Sequence, residues 1–195
     1  MDKNTNIAKQ RAEWLGTLKK ITEKCFEREA RLGDLCPQRY SPLDQKEKRE
    51  SLKQIARLSK EISTQIQRLN RLEQGGGIGF GIVLGSQPDE LMAVVLSLLV
   101  SARLDCAVGT QIRAVQDVIN FTAIRNPATA AQVRSLFRSD SILYRLVVLG
   151  QRGFALDQYS CTIRESVMNR ILAQPSDETE ARCEAEVLVG RGDRR

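Results

Sequence analysis

The sequence predicts a mainly α-helical protein with an N-terminal antiparallel helical hairpin, coiled-coil-like, followed by a winged-helix (helix-turn-helix) domain with a small β-hairpin wing. Apolar residues recur at helical spacing through residues 1–74, and a glycine-rich stretch then interrupts the pattern. Beyond it, three helical segments precede a short β-rich pair, which is the order of a winged helix. We therefore divide the 195 residues into a hairpin (1–74), a glycine-rich joint (75–87), a winged-helix domain (88–173) and an acidic tail or linker (174–195).

Two apolar stripes predict the hairpin, with helices over about 5–33 and 44–73. Gly33, Pro37 and Pro42 lie between the helices, where glycine and proline end one helix and start the next. Stripes that bury each other favour a monomer, whereas exposed stripes favour self-association. The first stripe is Ile7, Trp14, Leu18, Ile21, Cys25 and Leu32, and the second is Leu52, Ile55, Leu58, Ile62, Ile66, Leu69 and Leu72.

The net charge of +6 belongs entirely to the hairpin. Residues 1–74 hold nine lysines and eight arginines against eleven acids, whereas residues 75–195 hold thirteen arginines and thirteen acids. The excess is either a solvated face or a surface for nucleic acid or an acidic partner. The solvated face is favoured because glutamates are interleaved with the basic residues.

The glycine-rich segment EQGGGIGFGIVLGSQPDE, residues 73–90, lacks the spacing of a phosphate loop. A P-loop requires a Gly-Lys dipeptide, which the chain lacks. The G-x-G-x-x-G pattern fails in both registers, because Ile82 and Leu84 occupy the last position. We therefore predict that residues 75–77 form a flexible joint.

The first two helices of the winged-helix domain follow the joint. Pro88, Asp89 and Glu90 start a helix through about Leu104, and its apolar residues lie nearly all round, so it should be central. Thr110 is then predicted to cap a second helix. The inward face of that helix is Ile112, Val115, Val118 and Ile119.

A third helix and the wing complete the predicted domain. Asn126-Pro127 starts a helix over about 127–139. Strands are predicted over 142–150 and 154–163, with a fourth helix over about 164–173. The third helix should face inward through Ala131, Val133, Leu136 and Phe137, and the fourth through Val167, Met168, Ile171 and Leu172.

Residues 78–173 resemble the N-terminal winged-helix domain of a group of bacterial AAA-type ATPases. The resemblance lies in LGSQPDELMAVVLSLLV, NPATAAQVRSLFRSDSILYRLVVLG and YSCTIRESVMNRIL. It implies a domain that helps to select partners for an ATPase core. The chain has no Walker A motif, so the resemblance implies no ATPase activity for these residues.

Composition argues against catalysis. The chain has no histidine. This excludes nucleophile systems that need a histidine, a histidine general base and a zinc site with histidine ligands. The carboxylates show no convergence, so we expect no enzyme, cofactor or metal. The five cysteines include no C-x-x-C pair and are expected to be reduced thiols of a cytoplasmic protein. The longest apolar run, residues 91–100, is too short to cross a bilayer.

The predicted function is a non-catalytic protein-interaction adaptor. The alternative is a winged-helix DNA-binding regulator, and the third is an oligomerising coiled-coil protein. Residues 88–173 hold nine arginines against seven acids. Their net charge of +2 is less positive than that of a typical sequence-specific DNA-binding domain. The candidate contacts to a partner or DNA are Arg113, Thr129, Gln132, Arg134, Ser135, Arg138 and Arg152.

Overall fold

The computed structural model describes residues 3–35, 45–74, 78–151 and 153–172, and it confirms the predicted fold class. Two long packed helices precede smaller helices and a two-stranded antiparallel hairpin in a winged-helix-like arrangement. The predicted joint at 75–77, Arg152 and the tail beyond residue 173 lie outside the described residues. The elements are α1 (Lys3–Asp34), α2 (Gln45–Glu73), α3 (Gly81–Leu84), α4 (Glu90–Leu104), α5 (Cys106–Gln111), α6 (Val115–Ala123), α7 (Pro127–Leu136), α8 (Ile142–Leu146), β1 (Val147–Gly150), β2 (Ser160–Ile163) and α9 (Glu165–Ile171), with a 3-10 turn at Leu156–Gln158.

The hairpin helices bury the predicted stripes against each other and against the rest of the protein. Both helices start and end close to their predicted limits. Ile7 and Leu52 are exposed and Leu72 is half-buried, so the stripes are buried mainly in their central parts. The buried members are Trp14, Leu18, Ile21, Cys25 and Leu32 on α1, and Ile55, Leu58, Ile62, Ile66 and Leu69 on α2.

Helix α4 is the central element, as its apolar sequence predicts. Asp89 caps it by accepting a hydrogen bond from the Met92 amide at 2.8 Å. Every residue from Met92 to Ser101 is buried, because α1, α2, α5, α6, α7 and β2 surround the helix. Burial on all sides explains why α4 carries apolar residues around its whole circumference.

Polar contacts as well as apolar packing dock the hairpin on residues 78–151 and 153–172, which we call the winged-helix part. The Trp14 ring packs edge-to-face on Phe80, with centroids 5.2 Å apart. Thr22 Oγ1 donates to Ser101 Oγ at 2.8 Å, and Arg28 Nη2 donates to the Phe121 carbonyl at 2.9 Å. Because these side chains are buried, the hairpin and the winged-helix part share one continuous core.

The second predicted helix begins later than predicted, at Val115, and a short helix that was not predicted, α5, precedes it. Asp105 caps α5 by accepting from the Ala107 amide, so Thr110 lies near the end of a helix and not at a cap. The chain leaves the helix at Ile112, and the Asp117 carboxylate accepts from the amides of Arg113 and Ala114. A local side-chain-to-backbone interaction therefore produces a break that the apolar period did not reveal.

The first predicted strand is half helical. Residues 142–146 form α8, because Ser141 caps a helical turn by accepting from the Leu143 amide. The strand begins only at Val147, and the second strand is confined to Ser160–Ile163. Ala114 forms an isolated antiparallel bridge with Ser160, so β2 lies between β1 and Ala114.

Helix α7 is shorter than predicted, and one of its inward assignments is wrong. The helix ends at Leu136, and Ala131 is exposed, whereas Val133 and Phe137 are buried. A small alanine fits an exposed or a buried helix face equally well, so the periodicity did not determine its side.

Candidate interaction surfaces

The predicted contact residues that the structure describes occupy two regions of the winged-helix part. Gln132 and Ser135 are exposed on α7, and Arg138 is exposed just beyond its end. Thr129 is half-buried on the first turn of α7, whereas Arg113 is exposed in the segment before α6. The structure thus brings the α7 residues together on one element and leaves Arg113 apart from them.

Arg134 is bound to the wing, the segment between β1 and β2. Its Nε lies 2.9 Å from both carboxylate oxygens of Asp157, and its Nη2 lies 2.8 Å from Oδ2. The hydrogen bonds and charge of Asp157 raise the pKa of Arg134 above its ordinary value. Arg134 therefore joins α7 to the wing through a bidentate ion pair.

The exposed face of α7 has small, neutral side chains. Ala128, Ala131, Gln132 and Ser135 are the exposed residues within the helix after Pro127. Arg138 follows it, with its Nε 3.9 Å from Asp140 Oδ1, and both side chains are mostly exposed. Such a face offers little charge to a phosphate backbone.

The wing presents a fully exposed aromatic residue. Phe154 has the exposure of a residue in an open chain, at 104%. Its amide donates to Gln158 Oε1 at 3.1 Å, and Leu156 of the following 3-10 turn and Tyr159 just after it pack against the core. The backbone around Phe154 is thus held by local contacts while its ring faces solvent.

Further apolar side chains are exposed on the segment that enters the wing. Ile142, Tyr144 and Val148 have 42%, 41% and 46% exposure. Val148 pairs with Thr162 across the hairpin, and in the described part of the chain β1 has a strand on one side only. The sequence analysis missed these residues and Phe154, because it assigned 142–150 and 154–163 to continuous strands.

A cleft of about 460 Å³ is lined by α6, α7 and the turn between them, together with Glu29 of α1. Ile124 and Arg125 in that turn have φ of 50° and 54°, a left-handed conformation that is rare for a β-branched residue. Arg125 Nη2 lies 3.8 Å from Glu29 Oε1 on α1. Burial raises the pKa of Glu29, while Arg125 and Arg28 oppose the shift. These contacts tie the turn to the hairpin.

Among residues 3–35, 45–74, 78–151 and 153–172, no three His, Cys, Asp or Glu side chains come together as a metal site would require. In the same ranges, no helix combines the length and apolar content needed to cross a bilayer. The cysteines described there, Cys25, Cys106 and Cys161, are free thiols.

Comparison with known proteins finds no matching family model, no matching curated protein and no matching solved structure. The resemblance of residues 78–173 to the N-terminal domains of AAA-type ATPases therefore stays a prediction.

Proposed function

We propose that this protein is a non-catalytic protein-interaction adaptor that binds its partner through the wing. The observation that carries the proposal is the full exposure of Phe154 on a locally held turn. Covering a Phe side chain gains about 1.5–3 kcal/mol, and aromatic residues are frequent energetic centres of protein interfaces. Ile142, Tyr144 and Val148 provide further apolar surface on the segment that enters the wing.

The charge distribution supports an adaptor over a sequence-specific DNA reader that uses α7. Arg134 is paired with Asp157, and the exposed face of α7 within the helix lacks a lysine or arginine among its described residues. DNA-binding helices usually supply such side chains to phosphates and base edges. We place the adaptor in the cytoplasm, because buried free thiols suit a reducing compartment. The resemblance implies a more specific version of this function, in which the protein selects partners for an AAA-type ATPase.

The test compares Phe154→Ala with Leu52→Ala, a matched removal of an exposed apolar side chain from the hairpin. Immobilised wild type and both variants are incubated with extract of the source cells, and bound proteins are quantified by mass spectrometry. We expect at least one protein to bind the wild type and Leu52→Ala but not Phe154→Ala. Its purified form should bind Phe154→Ala about ten- to a hundredfold more weakly.

Phe154→Ala should leave the thermal midpoint unchanged, because the ring makes no buried contact in the folded chain. The proposal is wrong if every captured protein binds wild type and Phe154→Ala equally well. A partner lost only from Leu52→Ala would instead identify the hairpin as the interaction surface.

A further inference from the structure

Helix α2 carries a row of basic side chains on the face opposite its buried stripe. A helix turns by about 100° per residue, so positions three or four apart share a face. The intervals between successive members of the row are three, four, four, three, eight and three residues, with Thr64 at the midpoint of the longest interval. We call this row the α2 basic stripe; its members are Lys46, Arg49, Lys53, Arg57, Lys60, Arg68 and Arg71, all exposed.

The stripe is straight and long. From Lys46 to Arg71 the helix advances by 25 residues and rises by about 37 Å at 1.5 Å per residue. Successive basic residues are mostly one helical turn apart, a rise of about 5 Å. Folding therefore arranges seven cations of the hairpin in a single line on the solvent side of α2.

Basic side chains outnumber acidic side chains on α2. The helix holds eight lysine or arginine residues and four carboxylates. Glu73 is buried, where it accepts from Trp14, Phe80 and Gly81. Glu61 pairs with Lys24 of α1 as well as with Arg57. Of the stripe members, Arg57 pairs with Glu61 at 2.8 Å.

The corresponding solvent face of α1 has mixed charge. At intervals of three or four residues it presents Lys9, Glu13, Gly16, Lys20, Glu23 and Glu27. Lys19 lies beside this face and pairs with Glu23 at 3.9 Å. An unbalanced line of cations is thus a property of α2 and not of the hairpin as a whole.

We propose that the α2 basic stripe binds the phosphate backbone of duplex DNA without reading its sequence. A duplex is a rigid rod with one negative charge per about 1.7 Å of axis, so it can follow the whole length of the stripe. Helix α2 lacks aromatic residues, and single strands are usually bound by stacking their bases on such residues. We choose DNA over an RNA duplex because a winged-helix-like arrangement, which is common in DNA-binding proteins, lies beside the hairpin.

An anionic membrane fits the stripe less well. A helix that binds in a membrane interface inserts an apolar face, whereas the apolar face of α2 is buried against the rest of the protein. The inference goes beyond the proposed adaptor function and uses a different surface. The protein would then hold the partner of its wing close to DNA.

The experiment measures binding of the full chain to a fluorescent 20-base-pair duplex between 50 and 300 mM salt. If five to seven stripe residues contact phosphates, log Kobs should fall against log[salt] with a slope of about −4.5 to −6. Arg49→Gln, Lys53→Gln and Lys60→Gln together should make that slope shallower by about 2.7 and weaken binding at least about tenfold at 100 mM salt.

The matched control is Lys9→Gln, Lys19→Gln and Lys20→Gln on α1, which removes the same net charge from an exposed surface. It should leave the salt slope unchanged. The charge-retaining set Arg49→Lys, Lys53→Arg and Lys60→Arg should bind like the wild type, because the stripe acts through charge. Thermal midpoints of all three sets should match that of the wild type, since the altered side chains are exposed.

Equal weakening by the α1 and α2 glutamine sets would overturn the proposal, because binding would then follow net charge alone. Absence of duplex binding at 50 mM salt would also overturn it. Duplex DNA would be rejected as the ligand of the stripe if a 20-nucleotide single strand, an RNA duplex or phosphatidylserine vesicles bind more tightly than the DNA duplex. That binding would also have to be lost in the α2 glutamine set. Phe154→Ala should retain duplex binding, so a failure of this proposal is distinguishable from a failure of the adaptor proposal.

Discussion

At the scale of single residues, burial determines the chemistry of the thiols. Burial raises the pKa of Cys25 from 9.0 to about 11, although the nearby positive charge of Arg28 opposes the shift. Burial and the negative charge of Asp117 raise the pKa of Cys161 to about 12. Cys106 begins α5 and is exposed. The three described thiols therefore differ in access and in their ability to form the reactive thiolate.

We expect Cys106 alone of these three to react with a water-soluble thiol reagent between pH 7 and 9. The measurement uses the Cys36→Ser, Cys183→Ser variant, so that every remaining cysteine is one that the structure describes. One thiol per chain should react in the folded protein, and Cys25 and Cys161 should follow after denaturation. Adding Cys106→Ser should abolish the fast reaction; a fast reaction that persists would contradict the burial of the other two.

At the scale of elements, a buried carboxylate at the end of α2 joins the nearby start of α3 to the distant helix α1. Glu73 Oε1 accepts from Trp14 Nε1 at 2.9 Å and from the Phe80 amide at 3.0 Å, and Oε2 accepts from the Gly81 amide at 3.1 Å. Gly79 has φ of 109°, and a Cβ there would lie 2.3 Å from the Glu73 side chain. The end of α2, the start of α3 and α1 thus meet around one carboxylate.

Glu73→Gln should destabilise the protein by about 2 kcal/mol, because its amide nitrogen would face a backbone donor where the carboxylate accepts. For a chain of this size, that corresponds to a fall in Tm of roughly 4–8 °C. Differential scanning calorimetry would measure it, with Glu50→Gln on the exposed part of α2 as the control. If both variants melt like the wild type, the carboxylate contributes no more to stability than an amide would.

At the scale of the whole molecule, the shared core makes the hairpin part of the same folding unit as the winged-helix part. Trp14 and Leu18 of α1 belong to the buried cluster that includes α4 and α6. The buried Arg28 donates to carbonyls in the last turn of α6, where the helix dipole favours a cation. Separating the two parts would expose apolar surface and leave these polar groups without their partners.

We therefore expect one cooperative unfolding transition. Trp14 is the single tryptophan of the chain and is fully buried against Phe80, so its fluorescence reports on the contact between hairpin and winged-helix part. Urea curves from Trp14 fluorescence and from far-UV circular dichroism should coincide. Loss of the fluorescence signal at a lower urea concentration than the helical signal would show that the hairpin separates first.

Helical periodicity was sufficient to predict α1, α2 and the central position of α4, because burial of an apolar stripe is a property that neighbouring residues share. The class of the fold followed from the order of these segments. The break before α6 and the helical start of 142–150 were not predictable in the same way. They depend on local hydrogen bonds that compete with the apolar pattern: Asp117 accepts from the Arg113 and Ala114 amides, and Ser141 accepts from the Leu143 amide.

Tertiary structure alone decided which surfaces remain open. Composition showed that the hairpin is basic and helical spacing puts the cations of α2 on one face, but only the packing of α2 decided that this face is exposed. Likewise, Phe154 is an apolar residue like many in the core, and its exposure follows from how the wing turns and where Arg134 holds Asp157. Local sequence encodes periodicity, whereas exposure depends on contacts between residues far apart in the chain, which no local pattern contains.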